Sequence, residues 1–385
     1  MPRRRWISNA AVSQRPKTLA NVSNPMPGAY YRGGTSKGIF IHSNDLPEDK
    51  RQWRDILLPM MGSPDGYNRQ LNGMGGGISS LSKVVVVSPS SREDIDCEYT
   101  FVQVPVGNED LDFSGNCGNL SSMTGVFAVD TGTCTPRIEA NNRGRVRSWN
   151  TNTNKVVDTV FPIDSQGRPD LNRPETTMAG VEGKGSSISL EFLNPAGAKT
   201  GKLLPTGKPV DVLELPGDDL AEVSLVDATA PTVILPFHEL RILLSLSPGD
   251  PVIFENEDTL KILETVRIAG AEKMGLPHAS AQPKIVIVQP PSTDEAEDVD
   301  LTVRALSMGR PHLAIPMTVG LCLGVAARIK NTVVERMIKA ADRDTIRLRH
   351  PTGVVEVGST WSGDHVQTAS VIRTGRRLMV GTVYW

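Results

Sequence analysis

Twice along the chain an alternating apolar stretch meets a glycine-bearing corner and continues as a longer apolar run. The first passage goes from Phe101–Val106 through Ser114-Gly115-Asn116-Cys117-Gly118-Asn119 into Leu120–Val129. The second goes from Leu301–Leu306 through Ser307-Met308-Gly309 into Leu321–Ile329. Alternation at period two predicts a strand, and the longer run predicts a buried helix. A helix that is apolar all round must be covered on all sides. Each half of the chain is therefore predicted to wrap many short strands around one buried helix, and the fold class is α+β.

Composition agrees with that reading. The 35 Gly and 28 Pro are spread along the 385 residues, as turns between short strands require. A chain of this length is expected to form two domains. Apolar residues at 39% and charged residues at 22% fit a globular protein. A formal net charge of −2 gives no global argument for nucleic acid or membrane. Cys97, Cys117, Cys134 and Cys322 form no CxxC pair, so neither a metal site nor a disulfide framework is expected. A reducing compartment, the cytoplasm, follows. The acid-free, Arg-rich start of the chain reads as a basic tail, with a mitochondrial leader as the alternative.

Other elements are predicted from their local patterns. Leu46–Met61, Asp258–Met274 and Asn331–Ala341 read as helices. Arg137–Ala140 and Val146–Trp149 form a hairpin, and Thr368–Ile372 and Arg376–Tyr384 read as two separate strands.

Three corners carry chemistry. Cys117 falls where strand becomes helix, beside the first free N–H groups of the helix. That position attracts anions and lowers a thiol pKa. Arg32-Gly33-Gly34-Thr35-Ser36-Lys37-Gly38 joins two strands and offers donors to an anion. It lacks P-loop spacing, which disfavours phosphate binding. The stretch Gly73 to Gly77 implies backbone packed against a ligand or another chain segment. It leads to Lys83, an ammonium beside four valines whose partial desolvation would lower its pKa and suit it to acid–base work. Cys322, inside the second helix, reads as core. The acidic loop Asp294–Asp298 is expected to be solvated and to hold no metal.

These motifs, with Thr200-Gly201-Lys202-Leu203-Leu204-Pro205-Thr206-Gly207 and the Ser307-Met308-Gly309 corner before His312, resemble the PrpF family from about Tyr31 to Trp385. The resemblance implies a diaminopimelate-epimerase-like fold. Its two pseudo-symmetric lobes are each a β-barrel-like sheet around a central helix, and its last strand returns to the first lobe. The expected boundaries are a tail at 1–27, a first lobe at 28–185 plus 373–385, and a second lobe at 186–372. The resemblance places the catalytic lysine on Lys83 and the active-site cysteine on Cys117, with no cofactor. The substrate-facing residues expected in the first lobe are Thr35, Ser36, Lys37, Gly76, Gly77, Ser82, Gly118 and Asn119. In the second lobe they are Ser307, Met308, Gly309, His312 and Thr318.

The expected reaction is a 1,3-proton shift in an unsaturated di- or tricarboxylic acid such as aconitate or 2-methylaconitate. Two facing helix starts would stabilise its several carboxylates. A same-fold racemase, epimerase or keto-enol tautomerase is one alternative. Met317 and Thr318, where a second thiol would be needed, argue against racemisation. A non-catalytic accessory protein of an aconitase-type enzyme is the other. A small polycarboxylate is the expected partner, and a homodimer is compatible with the sequence.

Overall fold

The computed structural model describes residues 17–113, 116–278, 282–295, 297–307, 309–338 and 344–385. The chain forms two compact units, Met1–Glu191 with Arg373–Trp385, and Phe192–Ile372.

The first unit is built on β1 (Met26–Gly33), β2 (Ser36–His42), β3 (Lys83–Pro89) and β4 (Cys97–Gln103). β1 and β2 form an antiparallel hairpin, β2 and β3 run parallel, and β3 and β4 are antiparallel. Helix α1 (Arg54–Met61) connects β2 to β3 as the parallel crossover requires. It supplies Ile56, Leu57, Met60 and Met61 to a cluster with Ile39, Ile41, Val84, Val86 and Val102. The opposite face buries Phe40, Val85, Val87, Tyr99 and Phe101 against α2 (Gly118–Ser121) and α3 (Thr124–Asp130). A sheet covered on both faces has no polar side to present, which explains the uninterrupted Val84–Val87 run. Each such buried side chain contributes roughly 1.5–3 kcal/mol. The unit continues through β5 (Arg137–Glu139), β6 (Arg143–Asn150), β7 (Lys155–Pro162), β8 (Thr176–Met178), β9 (Val181–Gly185) and β10 (Ser187–Leu193).

The second unit repeats the plan. Strands β11 (Asp211–Glu214), β12 (Leu220–Ala228), β13 (Ala230–Pro236), β14 (Lys284–Gln289), β15 (Leu301–Ser307), β16 (Arg310–Pro311), β17 (Thr345–His350) and β18 (Gly353–Ser362) accompany four helices. These are α4 (Phe237–Leu243), α5 (Glu257–Lys273), α6 (Met317–Ala326) and α7 (Val333–Met337). Helix α6 is fully buried from Val319 to Ala326. Cys322 lies inside it, and burial pushes its thiol up to about 12. Gly324 suits the close approach of β18, because a Cβ there would come 3.0 Å from Gly358 N. The last strand, β19 (His365–Val383), pairs with β18 up to Val371 and with β1 from Gly375 onward. The expected α+β architecture is observed; the buried apolar helix is single in the second unit (α6) and split into α2 and α3 in the first.

Several boundaries differ from the sequence reading. Residues 46–61 yield α1 only from Arg54, after a 3-10 turn at Lys50–Trp53 capped by Asp49. Leu120–Val129 is two short helices rather than one, because Ser122 Oγ donates to Asn119 O and Met123 N to Leu120 O. Serine hydroxyls that bond their own backbone compete with the helix ladder. Helix α6 begins at Met317, four residues before the expected Leu321, with Pro316 at its N-cap. Helix α7 occupies Val333–Met337, and the expected end at Ala341 lies outside the described residues. The two expected closing strands are one, β19. Residues ahead of β1 are not all tail: Leu19 and Val22 pack against the first unit's core, and Lys17 Nζ donates to Asn44 O at 2.6 Å. Among the described residues no helix is long and apolar enough to cross a membrane.

Candidate active site

The Gly33-Gly34 corner exists to let the β1–β2 turn approach α2. A Cβ on Gly33 would lie 2.2 Å from Asn119 O, and one on Gly34, whose φ is +53°, 2.3 Å from Asn119 Oδ1. The turn therefore rests on Asn119, and Asn119 Nδ2 donates to Thr35 Oγ1 at 3.0 Å and Ser36 Oγ at 3.5 Å. Cys117 Sγ lies 3.8 Å from Ser36 Oγ as its hydrogen-bond partner. Gly34→Ala should cost about 1–2 kcal/mol from the left-handed backbone alone, with a further loss as Asn119 is pushed aside. Urea denaturation of the variant checks this.

Cys117 is the N-cap residue of α2. Its carbonyl accepts from Ser121 N at 2.9 Å and Ser121 Oγ at 3.1 Å. Ser121 Oγ in turn meets Asn116 Oδ1 at 3.0 Å and the buried Tyr99 hydroxyl at 2.9 Å. Burial raises that phenol to about 12, so it stays a neutral hydrogen-bonding group. Because α2 is one turn long, a helix dipole adds little at Cys117. The helix expected there from the sequence is longer than the one observed. The positive charge comes instead from Arg373, which sequence inspection missed. It is buried, and its Nε donates to Asn119 Oδ1 at 3.1 Å. Burial pulls its guanidinium down to about 10, while the neighbouring Cys117 pushes it back up. It remains a cation at neutral pH.

Register places Lys83. Val85, Val87, Tyr99 and Phe101 belong to the cluster that contains Leu120 and packs against Cys117. Lys83 shares their face of β3, pairs with Gln103 across β4, and holds its Nζ 5.1 Å from the Phe101 ring centre. Its carbonyl lies against Gly38, where a Cβ would come within 2.6 Å of it and 2.8 Å of Leu120 Cδ1. Lys83 and Cys117 therefore look onto the same side of the sheet, with Gly38 beside one and Ser36 beside the other. Lys83 is 8% exposed, so the side chain as a whole is largely shielded from bulk water.

Other expected residues have partners of their own. Lys37 alternates to the opposite face of β2, where its Nζ sits 6.0 Å from the Tyr30 ring. Ser82 Oγ is buried and accepts from Gln70 Nε2 at 2.7 Å. The glycine run packs against its own chain: a Cβ on Gly77 would lie 2.2 Å from Asn68 O, and one on Gly76 2.7 Å from Leu81. Gln70 Oε1 also accepts from Gly77 N. The run packs against another chain segment, one of the two readings of that stretch. Gly118 is buried in the first turn of α2.

Within the second unit, Ser307 ends β15 opposite Arg310, and Gly309 turns there with φ +71°. Met308 lies outside the described residues. His312 Nδ1 accepts from Ala314 N at 3.1 Å, and Thr318 O at the start of α6 accepts from Thr229 Oγ1 at 2.9 Å.

The family model of the PrpF protein matches residues 24–385. The 2-methyl-aconitate isomerase of Shewanella oneidensis is 37% identical, spanning 92% of this chain and 95% of that protein. The 3-methylitaconate isomerase of Eubacterium barkeri is 35% identical over 93% and 97%. The (4E)-oxalomesaconate Delta-isomerase of a Novosphingobium species is 33% identical over 93% and 97%. Among solved structures, that of a methylitaconate-delta-isomerase superposes with a TM-score of 0.83 at 34% identity, covering 94% of this chain and 96% of that one. These relatives are isomerases along nearly the whole shared length. With its motifs, its fold and this end-to-end match, the chain belongs to the PrpF family.

Proposed function

We propose that this PrpF-family isomerase moves a proton across an allylic system in an unsaturated di- or tricarboxylic acid of the 2-methylaconitate or methylitaconate type, without a cofactor. The observation that carries the reading is a shielded amine and a thiol on one side of the sheet, the thiol beside a buried arginine. The names of the relatives supply the substrate class.

A C–H bond next to an unsaturated carboxylate is weakly acidic, so its removal needs a placed base and a stabilised anion. Lys83 takes the proton from one end of the allylic unit. The C–H electron pair becomes the new double bond, and the old double bond's pair is delocalised toward a carboxylate as a dienolate. Arg373 and the Thr35–Ser36–Asn119 corner face that charge. A proton from Lys83, or from Cys117 as a second acid, then closes the far carbon. No atom is gained or lost overall.

Incubating the purified protein with 2-methylaconitate, 3-methylitaconate, cis-aconitate and trans-aconitate, followed by proton NMR, tests the class. Positional isomers of at least one acid are expected. Hydrated products, inverted amino acids from an added amino-acid panel, or silence toward all four acids would contradict it.

A further inference from the structure

Cross-strand geometry fixes one more group on the Lys83 face. Lys83 and Gln103 lie directly opposite in the β3–β4 ladder. Just beyond them Val104 N donates to Ser82 O at 3.1 Å. Lys83 and Gln103 are thus a non-hydrogen-bonded pair, the kind whose side chains come closest. The Gln103 backbone is also clamped from its other side. Its N–H donates to Asp112 O at 3.0 Å and its carbonyl accepts from Asp112 N at 3.1 Å.

The Gln103 amide has one way to face. Nε2 donates to Ser82 O at 2.8 Å and to Ser79 O at 3.1 Å. Carbonyl oxygens only accept, so the NH2 end must point at them and Oε1 must point at Lys83. Lys83 Nζ donates to that oxygen. The amine is held between this acceptor and the face of Phe101.

We propose that Gln103 is the positioning residue for Lys83, taking one N–H of the amine so that its lone pair is aimed at the substrate's C–H bond. The inference rests on the reading of Lys83 as the proton carrier. A lysine has four rotatable bonds, and an unheld amine would spread over many rotamers; fixing the base in line with the reacting bond removes that loss. A neutral amide suits the task better than a carboxylate. It accepts from the amine in either protonation state, whereas a carboxylate would favour the ammonium and hold the proton on it.

The test compares wild type, Lys83→Ala, Gln103→Leu and Gln103→Glu, using whichever acid of the four-acid panel the wild type converts. Folding is checked by thermal midpoint, and kcat and KM are followed against pH. Gln103→Leu should lower kcat by about tenfold or more, a part of the ~10²–10⁴-fold that a positioned acid–base group supplies, with KM little changed. Gln103→Glu keeps an oxygen opposite Nζ. It should move the acidic limb of the kcat profile up by about one pH unit or more and recover turnover in alkali. The other titratable or charged groups on the packed elements are Lys37 and His42 on β2, Cys97, Glu98 and Tyr99 on β4, Asp112 beside the Gln103 backbone, Cys117 before α2, Asp130 on α3 and Arg373 beside Asn119, and all are the same in every variant. If both Gln103 variants lower only the thermal midpoint or only raise KM, with the kcat profile unmoved, the positioning role is wrong while Lys83 can stand. Full turnover by Lys83→Ala would overturn both.

Discussion

Lys83→Ala is expected to lower the rate of isomerisation by at least ~10²-fold, the low end of what a positioned acid–base group contributes. The argument is geometric. Lys83 is shielded, on the same side of the sheet as Cys117, and held by Gln103 and Phe101. Alanine keeps the β3 backbone and leaves the two valine faces of the strand intact, so the fold should survive. The loss should appear in kcat more than in KM, because the amine acts on the transition state rather than on binding. Stopped turnover with an unchanged thermal midpoint is the expected pair of results. Retained turnover of every acid in the panel would remove Lys83 from the mechanism.

Arg373→Met should lower kcat/KM by about 10²–10³-fold, the cost of removing one donor from a site that stabilises developing negative charge. The guanidinium is buried, remains charged with its pKa near 10, and is tied to Asn119 at 3.1 Å. A cation in a shielded site acts at lower dielectric than one in water, so its field on a dienolate is strong. Arg373→Lys keeps a charge but loses the planar fork, and should fall between the two. The measurement is kcat/KM together with the inhibition constant of tricarballylate, a saturated tricarboxylate that cannot isomerise. Loss of catalysis with weaker tricarballylate binding supports a carboxylate contact. Unchanged kinetics in Arg373→Met would reduce the residue to packing.

Much of this is legible in the amino-acid sequence. Strand alternation and the apolar runs gave the helix-within-strands plan of both units, because burial on every side leaves a plain pattern. The Gly33-Gly34 corner is legible as a tight turn with donors, and Cys117 as a residue at a strand-to-helix corner. What sequence could not show is which side of a strand each residue takes once the hairpin is closed. Lys37 and Ser36 are neighbours in sequence, yet alternation sends them to opposite faces of β2. Gly76 and Gly77 read as ligand-facing, but their missing Cβ atoms make room for Leu81 and Asn68 O of the same chain. Ser82 carries a hydroxyl that a buried glutamine uses. Arg373 and Gln103 left no local signal, since one lies far along the chain from Asn119 and the other gains meaning only from its register with Lys83. The helix break at Ser122–Met123 is hidden for a related reason: tertiary burial keeps the run apolar while the Ser122 hydroxyl and the Met123 N–H leave the regular ladder.

One proton NMR experiment reaches the central claim, that an amine and a thiol sharing one side of the first unit's sheet relay a proton between two carbons of an unsaturated acid. Wild-type protein and 2-methylaconitate are mixed in D2O and the product is followed over time. In D2O the Lys83 amine and the Cys117 thiol carry deuterons, so the account predicts deuterium in part of the product at the carbon that receives the proton, no oxygen added across the double bond, and no such labelling with Lys83→Ala. Product formed by hydration, or labelling that proceeds equally well without the Lys83 amine, would contradict it.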